Sequence, residues 1–456
     1  MKNERQERRV SIVLSTYNRE DMLPITINSI LAQTYKDYEL LIIDDGSTDH
    51  TRELLETYED PRIRTFFLEE NQYYCAAANY GICKAEAPYI AFATSDDVWE
   101  PEKLELQMEY LEARPECGAC FTFSDVIDEE GRPAKNEFEM LSGLLMRSFH
   151  TKKEWIQQFI FEGNCLCHPS AVVRKTVLDE VGDYHLLYCQ AADMELWLRI
   201  VRRYPIHVIE KELVHYRCYR NPNAQISGAE ELKAARFLNE HMIIRRKFIN
   251  DLSDEEMVEF FGDCFRNPDA ASHVEIEIEK AFLLMNCAHG LPDFHILGIE
   301  KFEELLRNPE AVRILKKTYH VGPKDIYQWN LGHFYMDFGI HVRLDRQDRR
   351  ALIQKEELHQ GQEYIQSLQE YRNRLVHQVD EQDHRIGELQ NELEEALLEG
   401  EKARAELMET DRKLQMSSRR LQEEEEDLEK TKLLLQEALL QQLALQEKTG
   451  IRKKFR

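Results

Sequence analysis

Apolar and polar positions alternate in blocks along the first hundred residues. "VSIVLSTYN" is an unbroken apolar run entering a polar turn, and "DMLPITINSILAQT" then places Met22, Ile25, Ile30 and Leu31 at helical spacing. "YELLIIDDGS" repeats the pattern, a second apolar run ending in aspartates, with a helix expected from about Thr48. "RIRTFFLE" reads as a third strand, "AAANYGICKA" as a short helix and "APYIAFATSDD" as a fourth strand. Short apolar runs bounded by turn residues fit strands covered on both faces. Strands separated by single helices are parallel and joined by crossovers, so the pattern predicts an α/β sheet.

From about residue 110 the pattern changes. "CGACFTFSDVIDEEGR" reads as a strand reaching a turn at Glu130–Gly131, "GNCLCHPSAVVRKTVLDEVG" as a strand followed by a helix, and "ADMELWLRIVRRYP" as an amphipathic helix. Between about 230 and 345 helical patterns dominate, including a capping-box start at Ser253 and Glu256, and no catalytic constellation stands out there. In the last hundred residues Ile365, Val379, Ile386, Leu393, Leu407, Leu414, Leu421, Leu428 and Leu435 share one seven-residue register. The companion register carries Leu368, Leu375, Leu389, Ala396, Ala403 and Ala438, interrupted by Thr410, Ser417, Glu424 and Thr431. Sustained heptads flanked by charge predict a coiled coil, weakened at Gly400 and Glu423–Asp427; about 90 helical residues would extend ~130 Å. The expected organisation is an α/β domain at 1–228, a helical extension at 229–350, a coiled coil at 351–448 and a basic tail at 449–456.

Composition narrows the function. A net charge of −26 over 456 residues argues against nucleic acid as the main partner, which needs a basic face. The N-terminal apolar run "VSIVL" is too short for a signal or a membrane span, so a cytoplasmic protein is expected, with "IRKKFR" offering at most a peripheral membrane contact. Ten cysteines fit reduced thiols better than a disulfide framework. "CGAC" and "CLC" could supply four thiolates to zinc, but their strand-like setting favours small core residues.

Three of the apolar runs end in "STYNR", "DDGSTD" and "TSDD". In open α/β sheets ligands bind beyond the carboxyl ends of strands, so Tyr17, Asp45 and Asp96 are expected at one crevice. Helix capping is the alternative for each motif taken singly. Adjacent carboxylates such as Asp96 and Asp97 suit a hard cation, Mg²⁺ or Mn²⁺, that also holds ligand phosphates.

Taken in order, "SIVLSTYNRE", "SILAQTYKDYELLIIDDGSTD", "PYIAFATSDDVWEPEKLELQ" and "ADMELWLRI" resemble the family 2 glycosyltransferases with the GT-A fold, over roughly residues 8 to 225. The resemblance implies transfer of a sugar, with inversion, from a nucleotide-diphosphate donor, typically UDP. It implies that Ser15, Tyr17 and Arg19 contact the nucleotide, that Asp45 reads the base, that Asp96 binds the metal and that Asp193 is the catalytic base. His168, His215 and Arg217 are further candidates for ligand contact, with Arg220 beside them. The sequence departs from the family at Thr94, where an acidic residue is usual, at Tyr73 and Ala78, and at Ala192, where Glu commonly precedes the base. The implied partners are a nucleotide-sugar, a glycan or lipid-linked acceptor, and further copies of the chain through the coiled coil. The competing reading is a weakened transferase-like domain serving as an interaction platform. A nicotinamide enzyme is disfavoured because no Gly-x-Gly-x-x-Gly follows a strand.

Overall fold

The computed structural model of the chain describes residues 9–221, 231–288, 294–329, 331, 362, 364–379, 381–388 and 404–448. The chain divides into two compact units, Met1–Phe338 and Gly339–Arg456.

The apolar runs of the first unit form one eight-stranded mixed sheet: β1 (Val10–Thr16), β2 (Tyr38–Asp44), β3 (Ile63–Phe67), β4 (Tyr89–Ala93), β5 (Val98–Trp99), β6 (Ala119–Ile127), β7 (Val172–Arg174) and β8 (Ile206–Arg217), in the order β3-β2-β1-β4-β7-β6-β8-β5. The strands β1 to β4 are parallel, with β7 antiparallel to both β4 and β6. The helices threaded between them are α1 (Leu23–Leu31), α2 (Thr51–Glu56), α3 (Tyr73–Lys84), α4 (Lys103–Ala113), α5 (Glu139–Leu144), α6 (Lys152–Gln157), α7 (Lys175–Val181) and α8 (Ala192–Arg203). This is the expected GT-A-like arrangement.

The period of two along each strand sorts the core into two layers. Val10, Ile12, Leu14, Leu40 and Ile42 face α1 and α4 through Ile27, Ile30, Leu104 and Met108. Val13, Leu41, Ile43, Ile90 and Phe92 face the other way, into one cluster with Ala77 and Ile82 of α3 and with Leu196 and Trp197 of α8. That second layer continues into the helices after the sheet. From α9 (Glu231–Asn250) it takes Ile244, Phe248 and Ile249, and from α10 (Asp254–Phe261) it takes Met257, Phe260 and Phe261. Ser253 and Glu256 form the expected capping box at the start of α10. Then come α11 (His273–Met285), α12 (His295–Leu305), α13 (Pro309–Lys317) and α14 (Pro323–Trp329), which share a smaller core around Phe282, Phe302 and Leu315. The α/β layer and the first helices of the extension therefore have one hydrophobic core.

The sequence reading marked none of β5, β8, α4, α5 and α6, and it placed the start of α2 three residues early. The twelve-residue strand β8 was not marked by its pattern, because its pairing with β6 shifts register twice between Thr122 and Ser124, which breaks the alternation. Helix α2 starts at Thr51 rather than Thr48. The residues before it are used elsewhere: Ser47 Oγ accepts the Asn18 N–H at 2.9 Å and Asn18 Oδ1 accepts the Thr48 N–H at 2.8 Å.

The zinc alternative also falls away. Cys117, Cys120, Cys165 and Cys167 are buried, and among the described residues the cluster with ligand spacing for a metal is Asp254, His273 and Glu277, without a cysteine. Burial pushes the Cys117 thiol up to about 11 and Cys165 up to about 12, which opposes thiolate ligation.

In the second unit, residues 364–379, 381–388 and Arg404–Lys448 are helical. The less exposed positions of the long helix are 410, 414, 417, 421, 424, 428, 431, 435, 438 and 442, the two heptad registers named above. Residues 365, 368, 372, 375, 379, 382 and 386 continue the same spacing, and Ile365, Leu368, Leu375 and Thr431 are buried. Leu389, Leu393, Ala396, Gly400 and Ala403 lie outside the described residues, as do the tail at 449–456 and the sequence boundaries at 228 and 350. Among the described residues no helix is long and apolar enough to cross a membrane.

Candidate active site

The parallel pairing brings the polar strand ends together. Thr16 lies opposite Asp44, and Leu14 opposite Ala93, so the residues that follow β1, β2 and β4 emerge along one edge. They open into a cavity of about 930 Å³ whose lining includes Ser15, Tyr17, Arg19, Asp45, Asp96 and Asp193. His168 lines it too. His215 and Arg217 do not. Seven of the nine expected residues thus share one cavity.

Asp45 is buried at the end of β2, and its Oδ1 accepts the Gln72 N–H at 2.9 Å. Burial raises its pKa and the amides of Gln72 and Tyr73 pull it back. The turn after it needs Gly46, whose φ is +73°. A Cβ there would stand 2.7 Å from the Glu70 carbonyl carbon. Ser15 Oγ is buried in the cavity wall with no hydrogen-bond partner among the described residues, which suits it to a ligand.

The two adjacent aspartates have different surroundings. Asp97 points into the protein: its Oδ1 accepts the Arg217 N–H at 2.7 Å, and its Oδ2 accepts from the Thr94 hydroxyl. Burial, and then the charge of Asp96, raise its pKa. Asp96 lies at the cavity, with Tyr219 Oη 3.2 Å from its Oδ2 and Arg19 Nε at 4.0 Å. Burial raises its pKa too, and Arg19 counters this. A carboxylate in this condition fits a divalent cation, whose charge favours the ionised form. Thr94 explains its own departure from the family pattern: a third carboxylate there would face Asp97 directly, whereas the hydroxyl donates to it.

Asp193 lines the same cavity from the first turn of α8. Its Oδ1 accepts the Met194 N–H at 2.7 Å and its Oδ2 accepts from Asn164 Nδ2 at 2.8 Å. Burial pushes its pKa up to about 6, with these bonds opposing. A carboxyl poised there is ionised at neutral pH yet basic enough to take a proton. His168 Nε2 lies 2.7 Å from both Tyr74 Oη and Tyr184 Oη, and burial lowers its pKa to about 3, so it stands neutral in the cavity wall.

The remaining two candidates have other partners. His215 Nε2 pairs with Glu100 at 2.7 Å on the β5–β8 side of the sheet. Arg217 is buried and braces the acidic turn, donating from Nε to the Asp96 carbonyl at 2.8 Å and from Nη1 to the carbonyls of Asp128 and Glu129, both at 2.9 Å. Arg220 is held by Glu129 and Glu137. The cavity also takes residues the sequence did not mark, among them Gln190, Lys233 and Arg236. Lys233 and Arg236 come from α9, and no local motif singles them out.

The polar ends of β1, β2 and β4 and the first turn of α8 thus bring Asp45, Asp96 and Asp193 to one cavity. Residues 11–182 match the family described as Glycosyl transferase family 2. The Bacillus subtilis protein TuaG, named as a teichuronic acid biosynthesis glycosyltransferase, is 39% identical over 126 residues, covering 27% of this chain and 50% of TuaG. An uncharacterised glycosyltransferase of Methanocaldococcus jannaschii is 28% identical over 222 residues, covering 47% of this chain and 72% of the relative. The crystal structure of Staphylococcus aureus TarS 1–349 in complex with UDP has a TM-score of 0.45 at 16% identity, covering 73% of this chain and 95% of that one. The chain spans about half the length of TuaG.

Proposed function

We propose that the chain is an inverting, cation-dependent glycosyltransferase that moves a sugar from a nucleotide-diphosphate donor, UDP-linked, to a hydroxyl of a glycan or lipid-linked acceptor in cell-surface polysaccharide or glycoconjugate synthesis. The observation that carries this is the convergence of Asp45, Asp96 and Asp193 on one cavity from three separate elements. Ser15, Tyr17 and Arg19 hold the nucleotide, and Asp45 accepts from its base. Asp96 holds the cation, Mn²⁺ or Mg²⁺, which supplies charge stabilisation to the departing diphosphate. Asp193 accepts the proton of the acceptor hydroxyl as its oxygen bonds to the anomeric carbon. The bond from that carbon to the diphosphate oxygen breaks on the opposite face, and its electron pair leaves with the nucleotide diphosphate. A sugar hydroxyl is too weak a nucleophile without such a base. His168, held by two tyrosines, shapes the wall of the cavity.

The sequence divisions at 228, 350 and 448 remain our proposal for modules of the chain. For the last of them we propose that the helical residues 364–379 and 381–388 pair with 404–448, since both stretches carry the same seam and its residues Ile365, Leu368, Leu375 and Thr431 are buried within one chain. The transferase reading is tested by nucleotide diphosphate release from a panel of nucleotide-sugars with Mn²⁺ or Mg²⁺, wild type against Asp96→Asn.

A further inference from the structure

Helix α8, which carries Asp193, begins without a capping side chain of its own. Its N-cap residue is Ala191, and Ala192 follows. A helix start needs acceptors for its free N–H groups. Asp193 itself accepts the Met194 N–H, and the backbone leading into the helix is held from α9, 49 residues or more further along the chain and beyond the residues that match the family. Glu240 is buried, its Oε1 accepts the Cys189 N–H at 2.9 Å, and its Oε2 accepts the N–H groups of Gln190 and Ala191, both at 2.8 Å. Arg236, one turn earlier, donates to Gln190 Oε1 at 3.0 Å.

The same helix also fixes the other partner of Asp193. Buried Arg245 donates from Nε to the Ile160 carbonyl at 2.7 Å and to the Cys287 carbonyl at 3.1 Å. Three residues later Gly163 turns the chain with a φ of +97°, and Asn164 then donates to Asp193. One helix of the extension thus holds the segment before Asp193 and the loop that delivers Asn164 to it.

We propose that Glu240 is a positioning residue for catalysis: by holding from α9 the backbone that leads into α8, it sets the orientation of Asp193 and the charge around it. The inference rests on Asp193 being the base. Tyr74 and Cys75 of α3, Cys167, Tyr184 and Glu240 all act electrostatically on or with Asp193. Burial raises the pKa of both tyrosines and both cysteines and so keeps them neutral, while Glu240 adds to burial in raising that of Asp193. His168, Lys233 and Arg236 line the same cavity.

The experiment measures kcat, donor KM and the pH profile of UDP release from UDP-glucose, UDP-galactose and UDP-N-acetylglucosamine by the full chain, water standing in for the acceptor. Glu240→Ala, Glu240→Gln, Asp193→Asn and the double variant Glu240→Ala/Asp193→Asn run beside the wild type, each checked for folding by its thermal midpoint. Glu240→Ala is expected to lower kcat by about 10- to 100-fold with donor KM little changed, the scale of a misplaced catalytic group. Glu240→Gln is expected to lose less and to move the acidic limb of the profile to lower pH; should Glu240→Ala fail to fold, this variant carries the test. In the Asp193→Asn background the Glu240→Ala loss is expected to vanish, because the two act through one group. An unchanged kcat and acidic limb, or a loss carried by donor KM, overturns the proposal. The same fold-loss persisting without Asp193 overturns the positioning role and leaves the base in place, whereas wild-type turnover by Asp193→Asn alone overturns the base and the positioning role with it.

Discussion

Asp193, the base in the proposed reaction, shows how such a role opposes folding. Its carboxyl titrates at about 6 in the folded chain, raised by burial, against about 4 in an unfolded one. A carboxyl with the higher pKa when folded binds its proton more tightly in that state, so stability falls as pH rises from about 4 to about 6 and stays lower above. The shift sets an upper bound of roughly 3 kcal/mol, and the bond from Asn164, which an amide cannot accept in the same way, takes back about 1 kcal/mol. Asp193→Asn is therefore expected to stabilise the chain by about 1–2 kcal/mol at pH 7 and not at pH 4, measured by urea unfolding at both. The wild-type rate is expected to rise with pH through about 6 and level off above it, as the base ionises. At this scale the sequence was informative where cavity lining and local pattern coincide: Asp45 and Asp96 end apolar runs, and Asp193 opens an amphipathic helix. Glu240, Asn164 and Arg236 could not be found this way, since each acts on a partner at least 29 residues away and lies in no pattern of its own.

The elements that present these residues are strand ends and the turns that follow them. The turn after β2 is constrained most tightly, because Gly46 combines a φ of +73° with backbone 2.7 Å from where a Cβ would stand. Gly46→Ala is expected to cost about 1–3 kcal/mol, the scale of a strained backbone position, seen as a lower urea midpoint at unchanged slope. An unchanged midpoint would mean that the turn relaxes freely. The parallel half of the sheet was legible because buried βαβ units write long apolar runs. The mixed half was less so: β5 has two residues, β7 three, and β8 alternates around a register shift. The pairing of β8 with β5 and β6 gives His215 and Arg217 partners inside the sheet, information that no local spacing contains.

For the whole molecule, the sheet and the first helices of the extension share a core, so α9 reaches the cavity as part of the same body. The second unit repeats one heptad seam in two helical stretches, where the described seam positions are the less exposed ones and Ile365, Leu368, Leu375 and Thr431 are buried within a single chain. Pairing between those stretches predicts a particle of about 54 kDa by light scattering, the chain mass of 54.0 kDa. Self-association through the seam, which the heptads alone suggest, would give a multiple of it. The central claim is that the cavity is a working transferase site, and donor turnover tests it most directly. The purified chain is incubated with UDP- and GDP-linked sugars and Mn²⁺ or Mg²⁺, and nucleotide diphosphate release is recorded for the wild type, Asp96→Asn and Asp193→Asn. The account predicts release from one donor that requires the cation, is abolished in Asp96→Asn and falls by about 10²- to 10⁴-fold in Asp193→Asn. Release that is indifferent to the cation and to both substitutions, or no turnover and no binding of any donor, would contradict it.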